Sequence, residues 1–125
     1  MAKILLIDDD RDLSNLTKMA LAKKGHRVFV SHEANTAMEE AIKQNPELIL
    51  MDIMLPGMNG AEIVKKMKMD PNLKDVPVVF LTALVSNNEF NLEESGIIVD
   101  GLNYKTLGKP YEIDELLELV ENILN

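Results

Sequence analysis

Four short apolar runs recur along the chain and constrain its fold more than any other feature. They occupy residues 4–7, 28–30, 48–51 and 78–81, so successive runs begin 24, 20 and 30 residues apart. Runs without polar alternation are typical of parallel strands that are covered on both faces. The spacing leaves room for one helix between neighbouring strands. A weaker fifth strand is predicted between Ile97 and Thr106.

Segments with helical periodicity fill the intervals between the apolar runs. In the first interval the helical spacing is carried by Leu13, Leu16 and Ala20. The first three helices are expected to end at stop signals, namely Gly25, Asn45-Pro46 and Asp70-Pro71. A capping box that begins at Ser86 predicts a fourth helix, and the most regular apolar pattern predicts a last helix from Tyr111 to Leu124.

The alternation of strands and helices predicts an α/β fold. We expect a doubly wound, five-stranded parallel sheet with right-handed crossovers and helices on both faces, which is a three-layer α/β/α sandwich. The 125 residues suit one hydrophobic core. A single domain over residues 1–125 is therefore predicted.

Composition excludes several classes of function. The chain has 21 acidic and 13 basic residues, a net charge of −8, which repels nucleic-acid phosphates and anionic lipids. We therefore expect no direct contact with nucleic acid or membrane. No apolar run approaches the ~18 residues of a membrane span, so a cytoplasmic location is expected. Cysteine is absent, which excludes disulfides, thiolate metal sites and a cysteine nucleophile.

Polar side chains follow the predicted strands at their carboxyl ends: Asp8, Asp9 and Asp10 after the first, Asp52 after the third, Thr82 after the fourth and Lys109 after the fifth. The carboxyl ends of parallel strands share one rim of the sheet, where ligands bind in open α/β folds. Asp10 is interpreted as a solvated helix start, whereas Asp8, Asp9 and Asp52 are expected to meet.

Such an acidic cluster requires a cation. Carboxylates about 4 Å apart repel by ~4 kcal/mol per pair at an effective dielectric constant of ~20. With neither cysteine nor a nearby histidine, oxygen ligands favour Mg²⁺, or Mn²⁺ in its place. His26 and His32 flank the second predicted strand and are interpreted as surface or edge residues away from the acidic rim, without a role. A metal-bound aspartate cluster with Thr82 and Lys109 favours phosphoryl transfer onto an aspartate.

The segment from Met51 to Gly60, MDIMLPGMNG, resembles the phosphoacceptor signature of two-component response-regulator receiver domains. Asp8-Asp9, Thr82-Ala83 and Lys109-Pro110 stand in the order of that family's other motifs, so the resemblance covers the whole chain. It implies a flavodoxin-like sheet with strand order 2-1-3-4-5. It also implies a signalling module that catalyses only its own phosphorylation and slow dephosphorylation.

The resemblance implies a role for each matched residue. Asp52 would accept a phosphoryl group from a sensor histidine kinase or a histidine phosphotransfer protein. Mg²⁺ would be held by Asp8, Asp9, Asp52 and the backbone carbonyl of Met54. Thr82 and Lys109 would contact the phosphoryl group, and the Lys109-Pro110 peptide bond would be cis. The implied partners also include an output domain or a downstream protein, and a phosphorylation-dependent homodimer is a family property.

Three features depart from the family pattern. Thr106 occupies the position that is usually Tyr or Phe, and Tyr104, on the same face of the strand, either substitutes for that aromatic or is an ordinary half-buried residue. The long interval from Thr82 to Lys109 favours an altered fourth helix or fifth strand, and hence a remodelled output surface. Met54 and Leu84 are apolar and cannot activate water, which predicts a long-lived aspartyl phosphate.

Three other functions compete with this one. An aspartyl-phosphate phosphatase should carry an acidic residue two positions after its nucleophile, where this chain has Met54. A flavodoxin-like cofactor module should have a Ser, Thr and Gly loop after its first strand, where this chain has three aspartates that repel phosphate. A binding-only receiver needs no complete set of acidic, hydroxyl and lysine residues, yet that set is present.

Overall fold

The computed structural model describes residues 2–82, 97–99 and 101–125. Its strands are β1 (Lys3–Ile7), β2 (Arg27–Ser31), β3 (Leu48–Asp52), β4 (Met54–Leu55), β5 (Met58–Asn59), β6 (Val78–Thr82), β7 (Ile97–Val99) and β8 (Leu102–Gly108). Its helices are α1 (Arg11–Lys23), α2 (Ala34–Gln44), α3 (Gly60–Lys68) and α4 (Ile113–Leu124). The helix predicted from Ser86 lies outside the described residues, as do Ala83 and Leu84.

The main sheet has the strand order β2-β1-β3-β6-β8-β7. Its first five strands are all parallel neighbours, so the predicted doubly wound order is confirmed. The sixth strand, β7, is an addition, because the region predicted as one fifth strand folds back on itself. Ile97 pairs with Tyr104 and Val99 with Leu102 in antiparallel register, and Gly101 between the strands has a φ of 80° that disfavours other residues. The altered fifth strand expected from the long interval is thus an antiparallel hairpin.

Each face of the sheet is covered by its own apolar layer. Side chains alternate along β1, so Leu5 and Ile7 pack with helices α2 and α3, whereas Ile4 and Leu6 pack with α1 and α4. All four are fully buried, and burying such a side chain contributes roughly 1.5–3 kcal/mol each. The two layers account for apolar runs without polar alternation and confirm the three-layer architecture.

The helices end where the stop signals predict. Gly25, with a φ of 92°, follows α1, and Asn45, with a φ of 49°, terminates α2. The last helix begins at Ile113, two residues later than predicted. Tyr111 is instead a buried residue on the approach to that helix.

The buried face of α1 differs from the apolar face that its sequence suggests. Leu16 is 59% exposed, whereas Ser14 and Thr17 are completely buried. Their hydroxyls have partners, since Ser14 Oγ donates to the Asp10 carbonyl at 2.8 Å and Thr17 Oγ1 lies 2.7 Å from the Tyr111 hydroxyl. Satisfied hydroxyls can be buried at little net cost, which explains how Ser14 and Thr17 share the buried face with Leu13 while Leu16 lies off it.

Candidate functional site

The predicted site residues meet at the carboxyl rim of the parallel sheet. Asp52 and Thr82 are the last residues of β3 and β6, Asp8 follows β1, and Lys109 follows β8. The register aligns Asp52 with Leu81 on the neighbouring strand, and it aligns Thr82 with Gly108. Parallel pairing therefore gathers four segments that are far apart in sequence.

Asp8, Asp9 and Asp52 form an acidic cluster, and a carboxylate oxygen from each lies within 4.8 Å of the others. Asp8 is fully buried and Asp52 is 4% exposed, whereas Asp9 is exposed. Asp10 is separate from this cluster and caps α1, where its Oδ1 accepts a hydrogen bond from the Leu13 N–H at 3.0 Å. The interpretation of Asp10 as a helix start is thus confirmed.

Lys109 joins the two buried carboxylates. Its Nζ lies 2.9 and 2.8 Å from Oδ1 and Oδ2 of Asp8, and it lies 3.1 Å from Oδ2 of Asp52. The backbone N–H of Lys109 donates to the Thr82 carbonyl at 2.7 Å, and the Lys109-Pro110 peptide bond is cis, as the resemblance implies. Thr82 is fully buried at the same rim.

The positive charge and hydrogen bonds at the site do not fully offset the cost of burying the Asp52 carboxylate. Burial raises its pKa from 3.8 to about 6 and outweighs the hydrogen bond from Met54 N–H and the charge of Lys109. Burial by itself lowers the pKa of Lys109, but its hydrogen bonds and ion pairs with Asp8 and Asp52 outweigh burial and raise that pKa above the ordinary value. One lysine thus serves both buried carboxylates of the cluster.

A tight hairpin after β3 holds the backbone next to Asp52. The N–H of Met54 donates to Asp52 Oδ1 at 3.0 Å, and β4 pairs with β5 across Pro56 and Gly57. Gly57 has a φ of 84°, as a type II turn with proline before glycine requires. The Met54 side chain is 59% exposed and borders an open cavity of about 370 Å³ that Asp9 also lines.

Gly60 has a structural role at the site that sequence reasoning missed. It opens α3, and its N–H donates to the Ile53 carbonyl at 2.8 Å. A Cβ at this position would overlap the carbonyl oxygen of Asp52 and lie 2.9 Å from Ile53 Cα. Glycine is therefore required at this position because its backbone lies very close to the end of β3, the strand that carries Asp52. The sequence contains a glycine eight residues after Asp52 but no local signal of this contact.

The two histidines correct the sequence interpretation. His32 lies at the acidic rim, because its Nδ1 donates to the Asp8 backbone carbonyl at 2.9 Å and it borders a second cavity together with Asp9. The position of β2 beside β1 explains this location. The His26 side chain is only 6% exposed; it accepts a hydrogen bond from the Ala2 N–H at 3.3 Å and faces Glu121 at 3.6 Å.

Tyr104 lies at a distance from the acidic rim. Its ring meets Phe80 edge to face with a centroid separation of 5.6 Å, and Lys68 Nζ lies 5.9 Å from its centroid. The strand register places Tyr104 level with Val78, about 13 Å along the strand from Thr82. This placement favours the interpretation of Tyr104 as a half-buried packing residue.

The chain matches known proteins along most of its length. The response regulator receiver domain family matches residues 4–121. Sporulation initiation phosphotransferase F of Bacillus subtilis is 31% identical over 98% of this chain and 93% of its own length. The solved structure of the chemotaxis response regulator CheY4 of Vibrio cholerae has a TM-score of 0.84 and 27% identity, covering 98% of each chain.

Other curated relatives are longer than this chain. The probable transcriptional regulator ycf29 of Pyropia yezoensis is 31% identical over 98% of this chain but only 53% of its own length, and the chain spans about half the length of several such relatives. In the part of the chain that the structure describes, no helix has the length and apolar character to cross a membrane. From the fold, the motifs and these matches, the chain belongs to the response regulator receiver domain family of two-component signalling proteins.

Proposed function

We propose that this receiver domain takes a phosphoryl group onto Asp52 in a Mg²⁺-dependent reaction and thereby switches the surface it presents to a partner. The donor is the phosphohistidine of a sensor histidine kinase or a histidine phosphotransfer protein. The observation that carries the proposal is the shared contact of Lys109 Nζ with Asp8 and Asp52. It joins a buried carboxylate nucleophile to a fixed positive charge at the ligand rim of the sheet.

The transfer uses groups that the structure brings together. One carboxylate oxygen of Asp52 forms a bond to phosphorus while the bond from phosphorus to the imidazole nitrogen breaks, and that nitrogen keeps the electron pair. The Met54 N–H, which is bonded to Asp52 Oδ1 at 3.0 Å, orients the carboxylate. Lys109 is close enough to Asp52 for its ammonium to contact the negatively charged phosphoryl oxygens after the transfer.

The residues present fit a bound Mg²⁺. Three carboxylates lie within 4.8 Å of one another, Lys109 contacts two of them, and burial still raises the pKa of Asp52. Asp8, Asp9, Asp52 and the Met54 carbonyl would hold the ion, and Mn²⁺ offers the same oxygen preference. When bound, the ion would supply charge neutralisation for the carboxylates and the phosphoryl oxygens.

After transfer, the change at Asp52 must reach a partner. We propose that the buried Thr82 hydroxyl and the Lys109 ammonium donate to the new phosphoryl oxygens, which draws the ends of β6 and β8 toward the acceptor. The β7–β8 hairpin lies beside β6 and forms part of the adjoining surface. The recipient is an output domain or a separate protein, and a homodimer that forms on phosphorylation is a further outcome. The cytoplasmic location stays a prediction.

Intact-mass measurement after incubation with Mg²⁺ and acetyl phosphate tests the proposal. Wild-type protein should gain one phosphoryl group, and Asp52→Asn should gain none. Asp10→Asn is the matched control, because Asp10 lies outside the cluster and asparagine also caps helices; it should be modified like the wild type. Absence of an adduct on the wild type, or equal modification of Asp52→Asn, would contradict the proposed function.

A further inference from the structure

A pair of buried hydroxyl groups links α1 to the segment that follows Lys109. Thr17 Oγ1 and the Tyr111 hydroxyl lie 2.7 Å apart, with Thr17 fully buried and Tyr111 9% exposed. A phenylalanine would fill the same apolar space without a polar group, and a buried hydroxyl is unfavourable unless it is paired. Burial also raises the pKa of Tyr111, against the effect of the Thr17 hydrogen bond, so this phenol stays neutral and able to donate.

The pair closes a ring of contacts that includes two residues of the functional site, Asp8 and Lys109. Tyr111 lies two residues after Lys109, whose Nζ is bonded to Asp8. Asp8 Oδ1 accepts a hydrogen bond from the Asp10 N–H at 3.0 Å, and Asp10 caps the helix that carries Thr17. From Asp8 the ring thus runs through Asp10 and α1 to Thr17, across to Tyr111, and back through Lys109.

The lysine requires such a constraint. Its side chain is a flexible four-carbon stem, so the position of the ammonium depends on where the backbone begins. On the side of β8, that backbone is held by the hydrogen bond from the Lys109 N–H to the Thr82 carbonyl. Pro110 has no N–H to donate. Tyr111 supplies an attachment to α1 on the other side.

We propose that Tyr111 is a positioning residue that, through Thr17, holds the Lys109 segment at a fixed distance from α1, so that the lysine ammonium reaches Asp8 and Asp52 together. Its effect on phosphoryl transfer rests on the function proposed above. Its effect on the unmodified protein does not, because the lysine contacts exist before any transfer.

The first experiment observes Lys109 in the unmodified protein without metal. We expect the side-chain ammonium protons of Lys109 to give a protected nitrogen–proton NMR signal, assigned by its loss in Lys109→Ala. Tyr111→Phe and Thr17→Val should broaden or abolish that signal through faster exchange. Tyr104→Phe removes the hydroxyl of the other tyrosine and should leave the signal in place.

The second experiment measures the rate of phosphorylation by acetyl phosphate at saturating Mg²⁺. A displaced lysine should slow Tyr111→Phe by roughly threefold to tenfold. In a Lys109→Ala background the same substitution should have no further effect, because positioning acts through the lysine. The double variant Thr17→Val/Tyr111→Phe leaves no orphaned hydroxyl, so it stays folded and should show the same loss.

Two results would overturn the proposal. One is an unchanged Lys109 signal and rate in Tyr111→Phe and in the double variant. The other is an equal slowing with and without Lys109, which marks a purely structural effect. Failure of the proposed function would be distinguishable, because the wild-type protein would then take up no phosphoryl group. The ammonium signal of Lys109 would still report on the effect of the hydroxyl pair in that case.

Discussion

Lys109 lies closer to Asp8 than to the acceptor carboxylate. Its ammonium nitrogen is 2.8 and 2.9 Å from the two oxygens of Asp8 and 3.1 Å from one oxygen of Asp52. The ammonium therefore makes two close contacts with Asp8, of which the one to Oδ1 is a hydrogen bond, and one hydrogen bond with Asp52. The pKa of Asp52 is nevertheless raised, because burial outweighs the hydrogen bond and the charge that Lys109 offers it.

This sharing predicts opposite changes in the pKa of Asp52. Lys109→Gln removes a charge that lowers this pKa, so it should rise above about 6, whereas Asp8→Asn removes a charge that raises it and frees the lysine, so it should fall. Carboxyl carbon NMR titration of metal-free protein measures both shifts. The exposed Lys105 lies on the same strand, and Lys105→Gln is the matched control. Shifts of the same sign in the two site variants would contradict shared compensation.

The raised pKa also predicts how stability depends on pH. The folded carboxyl of Asp52 has a pKa of about 6, against 3.8 for the ordinary group. As the pH rises from 4 through 6, the unfolded state loses its proton first, and the folded state becomes less stable by on the order of 3 kcal/mol. Asp52→Asn has no such cost. It should therefore be more stable than the wild type at about pH 8 and gain much less near pH 4.

Urea unfolding without metal, at both pH values, measures this difference. Asp10→Asn changes an exposed acid and should show no comparable pH-dependent gain. A stabilisation by Asp52→Asn that is equal at both pH values would show that ionisation of this carboxylate is not the cause. Added Mg²⁺ should stabilise the wild type more than Asp52→Asn, because the variant lacks one of the proposed ligands.

The parts of this molecule that were predictable from sequence are those fixed by local pattern and topology. The apolar runs specify the parallel strands, and parallel pairing then brings Asp8, Asp9, Asp52 and Lys109 to one rim without further information. The turn at Gly57 and the helix stops follow from the residue types themselves. The strands, the turn and the helix stops each depend on a few neighbouring residues, and the meeting of the site residues then follows from the order of the parallel strands.

The features that escaped prediction depend on contacts between distant segments. Thr17 is buried with its hydroxyl paired to that of Tyr111, which is 94 residues away in the sequence. No residue near Thr17 in the sequence predicts that partner. His32 reaches the Asp8 carbonyl only because β2 pairs with β1. The sequence pattern did not separate strand β7 from β8, because the two strands adjoin, have similar composition and are divided only by a turn.

The close approach of Gly60 to β3 predicts a strong effect of a single added methyl group. Gly60→Ala places Cβ against the Asp52 carbonyl oxygen and Ile53 Cα, and backbone atoms cannot move aside cheaply. We expect a loss of stability of about 1–3 kcal/mol together with slower phosphorylation, because the acceptor strand must shift. Chemical denaturation and the acetyl phosphate assay measure the two effects.

Gly57→Ala is the contrast for that variant. It introduces strain at a φ of 84° but has nothing within 4 Å of the new Cβ, so its cost should be about 1–2 kcal/mol. Its rate of phosphorylation per folded molecule should stay close to that of the wild type. Equal rates for the two variants would show that contact with the acceptor strand is not what Gly60 contributes.

The lifetime of the aspartyl phosphate is predicted to depend on Met54. This apolar side chain is 59% exposed beside the acceptor and cannot remove a proton from an attacking water, as a carboxylate would. Met54→Glu introduces a general base next to a cavity with room for it, and should shorten the lifetime by roughly tenfold. The decay of the phosphoryl mass adduct after removal of the donor measures the change.

Met69→Glu alters an 82% exposed methionine at the end of α3 with the same added charge, and its decay should match the wild type. If Met54→Glu also decays at the wild-type rate, the apolar residue at this position does not protect the acyl phosphate from water.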